Sequence, residues 1–365
     1  MAKKPAGPSL LERMQSAGSV TSAQILGEAT FFNDKDSVAT KVPALNIALT
    51  GSLKGGLTSG VTVIAGPSRS FKTLMSILML AAYQKKYPES VCLYFDSEFG
   101  STPAYFEQFG VDISRVIHIP IEHIEQLKFD LVKRLEEIKR GDKVFIFVDS
   151  IGNLASKKEV EDALSEKSVA DMTRAKAIKS FFRIVTPSIT IKDIPCVVVA
   201  HTYMEMALFP KAIVSGGTGV MYSPNTVWII SRSQDKNEAT KQIEGYYFTI
   251  NVEKSRYVRE KSKIALKVSF ENGIDVWSGL LEMAVESGHV IKVKDGKSFV
   301  YSRVDLLTGE IEEEQYKEDA TDNSDFWLPI LGDPKFEEWI SNRYKLTAPV
   351  ISANMMDDED LEEAA

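Results

Sequence analysis

Residues 61–80 restrict this chain more than any other stretch. Val61-Thr-Val-Ile-Ala65 is an apolar, β-branched run, Gly66 to Phe71 is a loop, and Lys72-Thr73 open the helical pattern Leu74-Met-Ser-Ile-Leu-Met-Leu80. Strand, loop and helix in that order turn the unpaired N–H groups and positive dipole end of the helix toward the loop, which makes an anion site. A lysine at the helix start reaches the β and γ phosphates of a nucleotide, and the next hydroxyl ligates Mg2+. Gly66, Pro67, Ser68, Arg69, Ser70, Phe71, Lys72 and Thr73 are therefore the expected cradle for ATP and Mg2+. The spacing departs from G-x-x-x-x-G-K-[ST] at one place. Phe71 occupies the second glycine position, so the loop is not expected to rely on a positive φ there.

Further apolar runs at 91–95, 144–148, 197–200 and 227–230 alternate with helical patterns, the order of an α/β core with a mostly parallel twisted sheet flanked by helices. Ile121, Ile124, Leu127, Leu131, Leu135 and Ile138 recur at steps of three and four, which predicts a helix stopped at Gly141. A second helix is expected over about 169–185, ended by Pro187. Two strand-like runs, 247–253 and 264–270, flank the basic segment Lys254-Ser-Arg256-Tyr-Val-Arg259-Glu-Lys261-Ser-Lys263 and predict a charged hairpin.

Domain boundaries follow from these patterns. Residues 1–30 hold a short helix (Leu10, Leu11, Met14) too small to bury itself, expected to serve oligomerisation. The ATPase core is expected over 31–273, a small α+β C-terminal domain over 274–346, and an acidic disordered tail over 347–365. Six carboxylates crowd the last nine residues, and removing them takes the net charge from −8 to −2. That tail is either a solvated run or a competitor of DNA for basic loops.

No run approaches the roughly 18 apolar residues of a membrane span, and the basic start has no apolar segment behind it, so neither a membrane partner nor a signal peptide is expected. Cys92 and Cys196 lie in strand-like runs and read as inert thiols of a cytoplasmic protein. The four histidines show no ligand spacing with them, which leaves zinc without a site.

The strand Val144-Phe-Ile-Phe-Val148 ends in Asp149, where such a loop needs a carboxylate for the metal, so Thr73 and Asp149 are the expected Mg2+ pair. Between them, Leu93-Tyr-Phe-Asp96-Ser-Glu98 releases carboxylates at a strand's C-terminal edge, where ligands of open α/β sheets collect. Glu98 is expected either to orient and deprotonate the attacking water or to cap the following turn.

Together these residues resemble the RecA family of strand-exchange ATPases, and within it the recombinases of tailed bacteriophages. The resemblance spans nearly the whole chain and rests on Phe31-Phe-Asn-Asp-Lys-Asp, Asn46-Ile-Ala-Leu, Gly66-Pro-Ser-Arg-Ser-Phe-Lys, Asp96-Ser-Glu-Phe-Gly, Ser150-Ile-Gly-Asn-Leu-Ala-Ser-Lys-Lys-Glu and Asn251-Val-Glu-Lys-Ser-Arg. It implies a RecA-type P-loop core and a helical filament of protomers along DNA, with ATP held between neighbours. Glu98 resembles the family's catalytic carboxylate, Tyr105 the ring that stacks on adenine, and His201 stands where the family keeps a polar γ-phosphate sensor. Lys254 and Arg256 resemble the basic pair that reaches the neighbour's phosphates, with a solvated hairpin as their alternative.

The resemblance further implies two DNA-binding loops, at about 152–165 and 202–221. Lys157 and Lys158 are expected to meet phosphate from the first. Phe209, Lys211, Gly216 and Gly217 are expected at DNA from the second, the glycines allowing close backbone approach. Repetition of such contacts along a filament suits an acidic protein to DNA, with sequence-tolerant, salt-sensitive binding. Arg174, Lys176, Lys179 and Arg183 have helical spacing and are read as supporting the fold or a protomer contact. Phe31 and Phe32 suit a hydrophobic anchor in the adjacent protomer or ordinary core positions. Single- and double-stranded DNA, further copies of the chain, a loader protein and a single-strand-binding protein are the implied partners, in the host cytoplasm if the chain is phage-encoded. A ring-forming helicase on the same core and a non-catalytic ATP-binding mediator are the alternative functions.

Overall fold

The computed structural model describes residues 9–20, 23–29, 36–165, 173–206, 210–237, 240–296, 298–305 and 307–346. Phe31, Phe32, Phe209 and the acidic tail therefore lie outside the described residues.

Two compact units divide at Asp36. In the first, helix α1 (Leu10–Ser16) starts at Ser9, whose hydroxyl accepts from the Glu12 N–H while the Glu12 carboxylate accepts from the Ser9 N–H. This reciprocal cap satisfies two orphan donors. Leu10, Leu11 and Met14 on this helix are exposed.

The second unit begins with α2 (Pro43–Thr50), β1 (Gly60–Gly66), α3 (Lys72–Lys86), β2 (Val91–Asp96), α4 (Pro103–Gln108), β3 (Val116–Pro120), α5 (Ile124–Glu137) and β4 (Val144–Asp149). It continues through α6 (Lys157–Leu164), α7 (Thr173–Lys192), β5 (Pro195–Met204), β6 (Ala212–Val214), α8 (Thr218–Tyr222), β7 (Thr226–Lys236), β8 (Ile243–Lys254), β9 (Lys263–Ser269) and β10 (Gly273–Ile274). Its C-terminal part is α9 (Leu280–Glu286), β11 (Val290–Asp295), β12 (Ser298–Arg303), α10 (Ser324–Gly332) and α11 (Pro334–Tyr344).

Among the described residues one sheet runs in the order β10-β9-β8-β7-β1-β5-β4-β2-β3, with β6 added to the end of β5. From β7 to β3 the pairs are parallel, and from β7 to β10 they are antiparallel. Alternation along the central strands sends successive side chains to opposite faces. Ile64, Tyr94, Phe145, Phe147, Val197 and Val199 pack with α2 and α3, whereas Val61, Val63, Phe95, Val148, Val198 and Ala200 pack with α5 and α7. Each such side chain, fully buried, stabilises the fold by about 1.5–3 kcal/mol. Cys92 and Cys196 are buried on opposite faces as free thiols, and burial pushes both far above the usual thiol range.

Two departures from expectation have simple causes. Helix α7 continues through Pro187 to Lys192, because proline removes one N–H while Val185 and Ile189 keep the apolar stripe on the sheet. Strand β3, Val-Ile-His-Ile-Pro, carries no clear alternation and forms the sheet's edge. The basic hairpin between β8 and β9 is docked on the end of α11. Arg259 N–H donates to Tyr344 O at 2.8 Å, and Leu346 N–H donates to Tyr257 O at 2.7 Å. Leu280, Phe326, Trp327, Phe336 and Ile340 of the C-terminal part share the buried cluster of α2 and α3. No helix among the described residues is long and apolar enough to cross a membrane.

Candidate nucleotide site and its flanking loops

The loop expected to hold phosphates joins β1 to α3 at the C-terminal edge of the parallel strands. Contrary to the sequence expectation, Phe71 does adopt a left-handed conformation, with φ 56°, and so does Arg69, with φ 59°. A non-glycine residue there costs about 1–2 kcal/mol. The ring supplies the compensation. Phe71 stacks at 4.7 Å, tilted by 58°, on Phe248 of β8 and packs among Leu74, Met75, Leu266 and Val268. Gly66 has a steric role of its own, because a Cβ there would lie 2.8 Å from the Ser70 hydroxyl and 3.1 Å from Ile230.

Lys72 is nearly buried and its Nζ donates to Pro67 O at 2.8 Å. Burial pulls its pKa below the usual lysine range, opposed by the charges of Glu98 and Asp149. Thr73 donates its hydroxyl to Asp149 Oδ2 at 2.7 Å. Asp149 is 3% exposed, and its Oδ1 has no hydrogen-bond partner. Desolvation pushes its carboxyl up to about 6, against the hydrogen bond from Thr73. A buried, unpaired carboxylate oxygen beside a threonine hydroxyl is an all-oxygen donor set suited to Mg2+, which takes few protein ligands when phosphates complete its shell. The residues fit the ion.

Glu98 follows β2, and one of its oxygens collects three partners. Oε1 accepts from the Ser150 hydroxyl at 2.5 Å and from Asn153 Nδ2 at 3.2 Å, and His201 Nε2 lies 2.8 Å away. The hydrogen bond with His201 is the main reason the carboxyl sits below its usual range, reinforced by Ser150 and Lys72 and opposed by burial. Ser68 to Leu74, Glu98, Tyr105 and His201 line one cavity of about 120 Å3. Lys72, Thr73, Asp149, Glu98, Tyr105 and His201, scattered over 130 residues of sequence, thus meet at one sheet edge.

The two expected loops are more structured than their sequences suggested. The first is a loop only to Ser156, which caps α6 through a capping box with Glu159. Lys157 and Lys158 consequently stand on the first turn of a helix, each facing a carboxylate one turn on: Lys157 lies 3.6 Å from Glu161, and Lys158 pairs with Asp162. Gly152 is required for steric reasons, since a Cβ there would lie 2.5 Å from the His201 ring. Within 202–221, β5 runs on to Met204 and pairs with β6 as a hairpin before α8. Lys211, at the loop end of this hairpin just before β6, is exposed. Gly216 and Gly217 take φ 109° and 78°, and a Cβ at Gly219 would meet Lys179 Cα at 2.7 Å, so these glycines shape a turn and let α8 approach α7. Arg174 ties both regions together, donating to Gly152 O and Leu154 O and lying 3.4 Å from the Ser215 hydroxyl.

Lys254 ends β8 and donates to Tyr222 O at 2.6 Å and Met221 O at 3.2 Å, closing the C-terminal end of α8. Burial and the neighbouring Arg256 lower its pKa. Arg256 is exposed.

Comparison with known proteins agrees with this arrangement. The RecA N-terminal domain matches residues 9–275, and the C-terminal domain of the bacteriophage T4 recombination and repair protein matches residues 277–340. The chain belongs to the RecA family. It is 50% identical over 327 residues to the recombination and repair protein of Enterobacteria phage T4, covering 88% of this chain and 82% of that protein. Protein RecA of Rickettsia bellii (strain RML369-C) is 26% identical over 292 residues, covering 78% and 80%. Protein RecA of Methylobacterium radiotolerans is 25% identical over 307 residues, covering 82% and 79%. This RecA-family recombinase brings Lys72, Thr73, Glu98, Tyr105 and His201 together on one cavity.

Several contributors to that site were not singled out from sequence. Ser150 and Asn153, which hold Glu98, carry no spacing signal because they reach it from the loop after β4, 52 residues or more away. Arg174 is read from sequence as supporting the fold or a protomer contact, and its bridging of the two loops depends on backbone carbonyls that no side-chain pattern reveals.

Proposed function

We propose that this RecA-family chain polymerises on single-stranded DNA with ATP and Mg2+ bound, pairs it with homologous duplex and exchanges strands, in recombination, repair and recombination-dependent replication. The observation that carries this reading is the convergence of Lys72, Thr73, Asp149, Glu98 and His201 on one cleft. At about 120 Å3 that cleft is far below the roughly 300–1,000 Å3 that encloses a ligand of nucleotide size. A neighbouring protomer supplying the missing wall fits this shortfall, with Lys254 and Arg256 as its basic contribution and Phe31 and Phe32 as its anchor.

The proposed roles follow from the contacts. Lys72 leaves Pro67 O for the β and γ phosphates, and Gly66, Ser68, Arg69 and Ser70 turn their N–H groups to the same oxygens. Thr73 and Asp149 would hold Mg2+, which when bound would supply charge neutralisation at the leaving phosphate. Glu98 orients the attacking water and accepts its proton, while Tyr105 stacks on adenine. His201, now on Glu98 Oε1, is placed to trade that contact for the γ phosphate. Its backbone carbonyl accepts from Ser215 N–H at 2.8 Å and its ring underlies Gly152, so a shift of His201 reaches both proposed DNA regions. In these, Lys157, Lys158 and Lys211, with the backbone at Gly216 and Gly217, track phosphate, and Phe209 meets a base face. A loader and a single-strand-binding protein complete the proposed partners, and the host cytoplasm the proposed compartment.

Steady-state ATP hydrolysis with and without single-stranded DNA tests this. Stimulation by DNA in the native chain, loss of nucleotide binding in Lys72→Ala, and retained binding without turnover in Glu98→Gln are expected. DNA-independent turnover, or full turnover in Glu98→Gln, contradicts it.

A further inference from the structure

The side chain of Glu98 is held by Ser150, Asn153 and His201, but those contacts work only if its backbone stands where they can reach it. That backbone leaves β2 in a tight reversal, and Phe99, the next residue, is exposed and left-handed at φ 54°. An unsupported loop would not keep a non-glycine residue there, since the conformation costs about 1–2 kcal/mol. The support comes from Asp96, the last residue of β2 and only 2% exposed. Its Oδ1 accepts from the Glu98 N–H at 3.0 Å and from the Phe99 N–H at 2.9 Å, and its Oδ2 lies 3.0 Å from His118 Nε2 on the edge strand β3.

We propose that Asp96 is a positioning residue for ATP hydrolysis, its carboxylate clamping the backbone at Glu98 and Phe99 so that the Glu98 side chain meets the attacking water. The inference rests on the reading of Glu98 as the carboxylate that prepares that water. Fold stability alone does not account for the arrangement. Asp96 pairs in register with Asp149, and its charge opposes ionisation of Asp149. A buried carboxylate beside a second one is an electrostatic cost, offset here by two charge-assisted hydrogen bonds to the catalytic loop. His118 fixes the orientation of the carboxylate from outside, leaving Oδ1 for the loop.

Misplacing a catalytic group by about 1 Å costs up to about 100-fold in rate. The test is steady-state ATP hydrolysis on single-stranded DNA by the full chain, alongside titration with a fluorescent ATP analogue, for Asp96→Ala, Asp96→Asn, Asp96→Ser and Glu98→Gln. Asparagine keeps an acceptor oxygen for the two amides, serine keeps one acceptor of shorter reach, and alanine keeps none. We expect kcat to fall about tenfold or more in Asp96→Ala with KM and analogue affinity within about twofold. Asp96→Asn should recover to within about fivefold of the native kcat, the difference between a charged and a neutral acceptor, and Asp96→Ser should fall between them. Native kcat in Asp96→Ala while Glu98→Gln is inactive overturns the positioning role and leaves the reading of Glu98 standing. Loss of analogue affinity in Asp96→Ala and Asp96→Ser alike assigns Asp96 to the fold and overturns it too, as does an Asp96→Asn no faster than Asp96→Ala. Native turnover in Glu98→Gln removes the reading of Glu98 and this inference with it.

Discussion

Replacing Phe71 by glycine and by alanine separates the strain in the phosphate loop from the packing that offsets it. Both changes delete a half-buried ring that stacks on Phe248 and packs among Leu74, Met75, Leu266 and Val268. Truncating a fully buried phenylalanine costs about 3–5 kcal/mol, so a half-buried one should cost about 2 kcal/mol in either variant. The variants differ in the backbone. Alanine keeps the cost of φ 56°, about 1–2 kcal/mol, whereas glycine sheds it and instead loses about 0.5–1 kcal/mol to the freedom of its unfolded chain. Phe71→Gly should therefore be destabilised less than Phe71→Ala, by about 0.5–1 kcal/mol, the reverse of the order that the two residues follow in a helix interior. Urea unfolding of the nucleotide-free protein measures this directly. Phe71→Gly also restores the common glycine-lysine-threonine spacing, so its affinity for ATP should stay within a few-fold of native. Equal or greater stability of Phe71→Ala would show that the left-handed backbone is not what the phenylalanine has to hold, and the compensation argument would fail.

Other consequences are as direct. Asp149, raised to about 6 in the folded protein, binds a proton more tightly there than in the unfolded chain, so its contribution to stability is full below pH 4 and is lost as pH rises from about 4 to 6. Asp149→Asn should thus stabilise the nucleotide-free protein at pH 8, by at most about 3 kcal/mol, and have no such effect near pH 4; with Mg2+ and ATP the ranking at pH 8 should reverse, and thermal melts at the two pH values check both. Gly152→Ala sets a Cβ against the His201 ring and should cost about 1–3 kcal/mol in denaturant unfolding while weakening the stimulation of ATP hydrolysis by DNA; unchanged stability and stimulation would show that the contact is not rigid. Lys254→Met removes the donor at the end of α8 and should raise amide exchange around 219–223 in the isolated protomer, where native protection would argue against the cap.

How much of this was legible in the sequence depended on whether the signal was local. The central strands and α5 were readable because apolar residues repeat at a fixed period, although α5 stops at Glu137, four residues before the glycine expected to end it, because Ile138 is already extended. The meeting of Thr73 with Asp149 was readable because both stand at the ends of such elements. Phe71 was misjudged because a backbone angle normally reserved for glycine is held by a contact with Phe248, 177 residues away in the chain. At 215–219 the glycines also serve turn geometry and the close approach to Lys179, which no local pattern reveals. Helix α7 outran Pro187 because burial of Val185 and Ile189 outweighs one lost hydrogen bond. What sequence cannot encode locally is a side chain on a distant carbonyl, and Lys254 on α8 and Arg174 between the two loops are both of that kind.

The most direct test is electron microscopy of the purified chain with single-stranded DNA and a slowly hydrolysed ATP analogue, beside the Lys254→Met and Arg256→Met variants. Extended helical filaments from the native chain, and none or short ones from the variants, are what a nucleotide site completed by a neighbour requires. Closed rings, or filaments as long and stable in both variants as in the native chain, would contradict it.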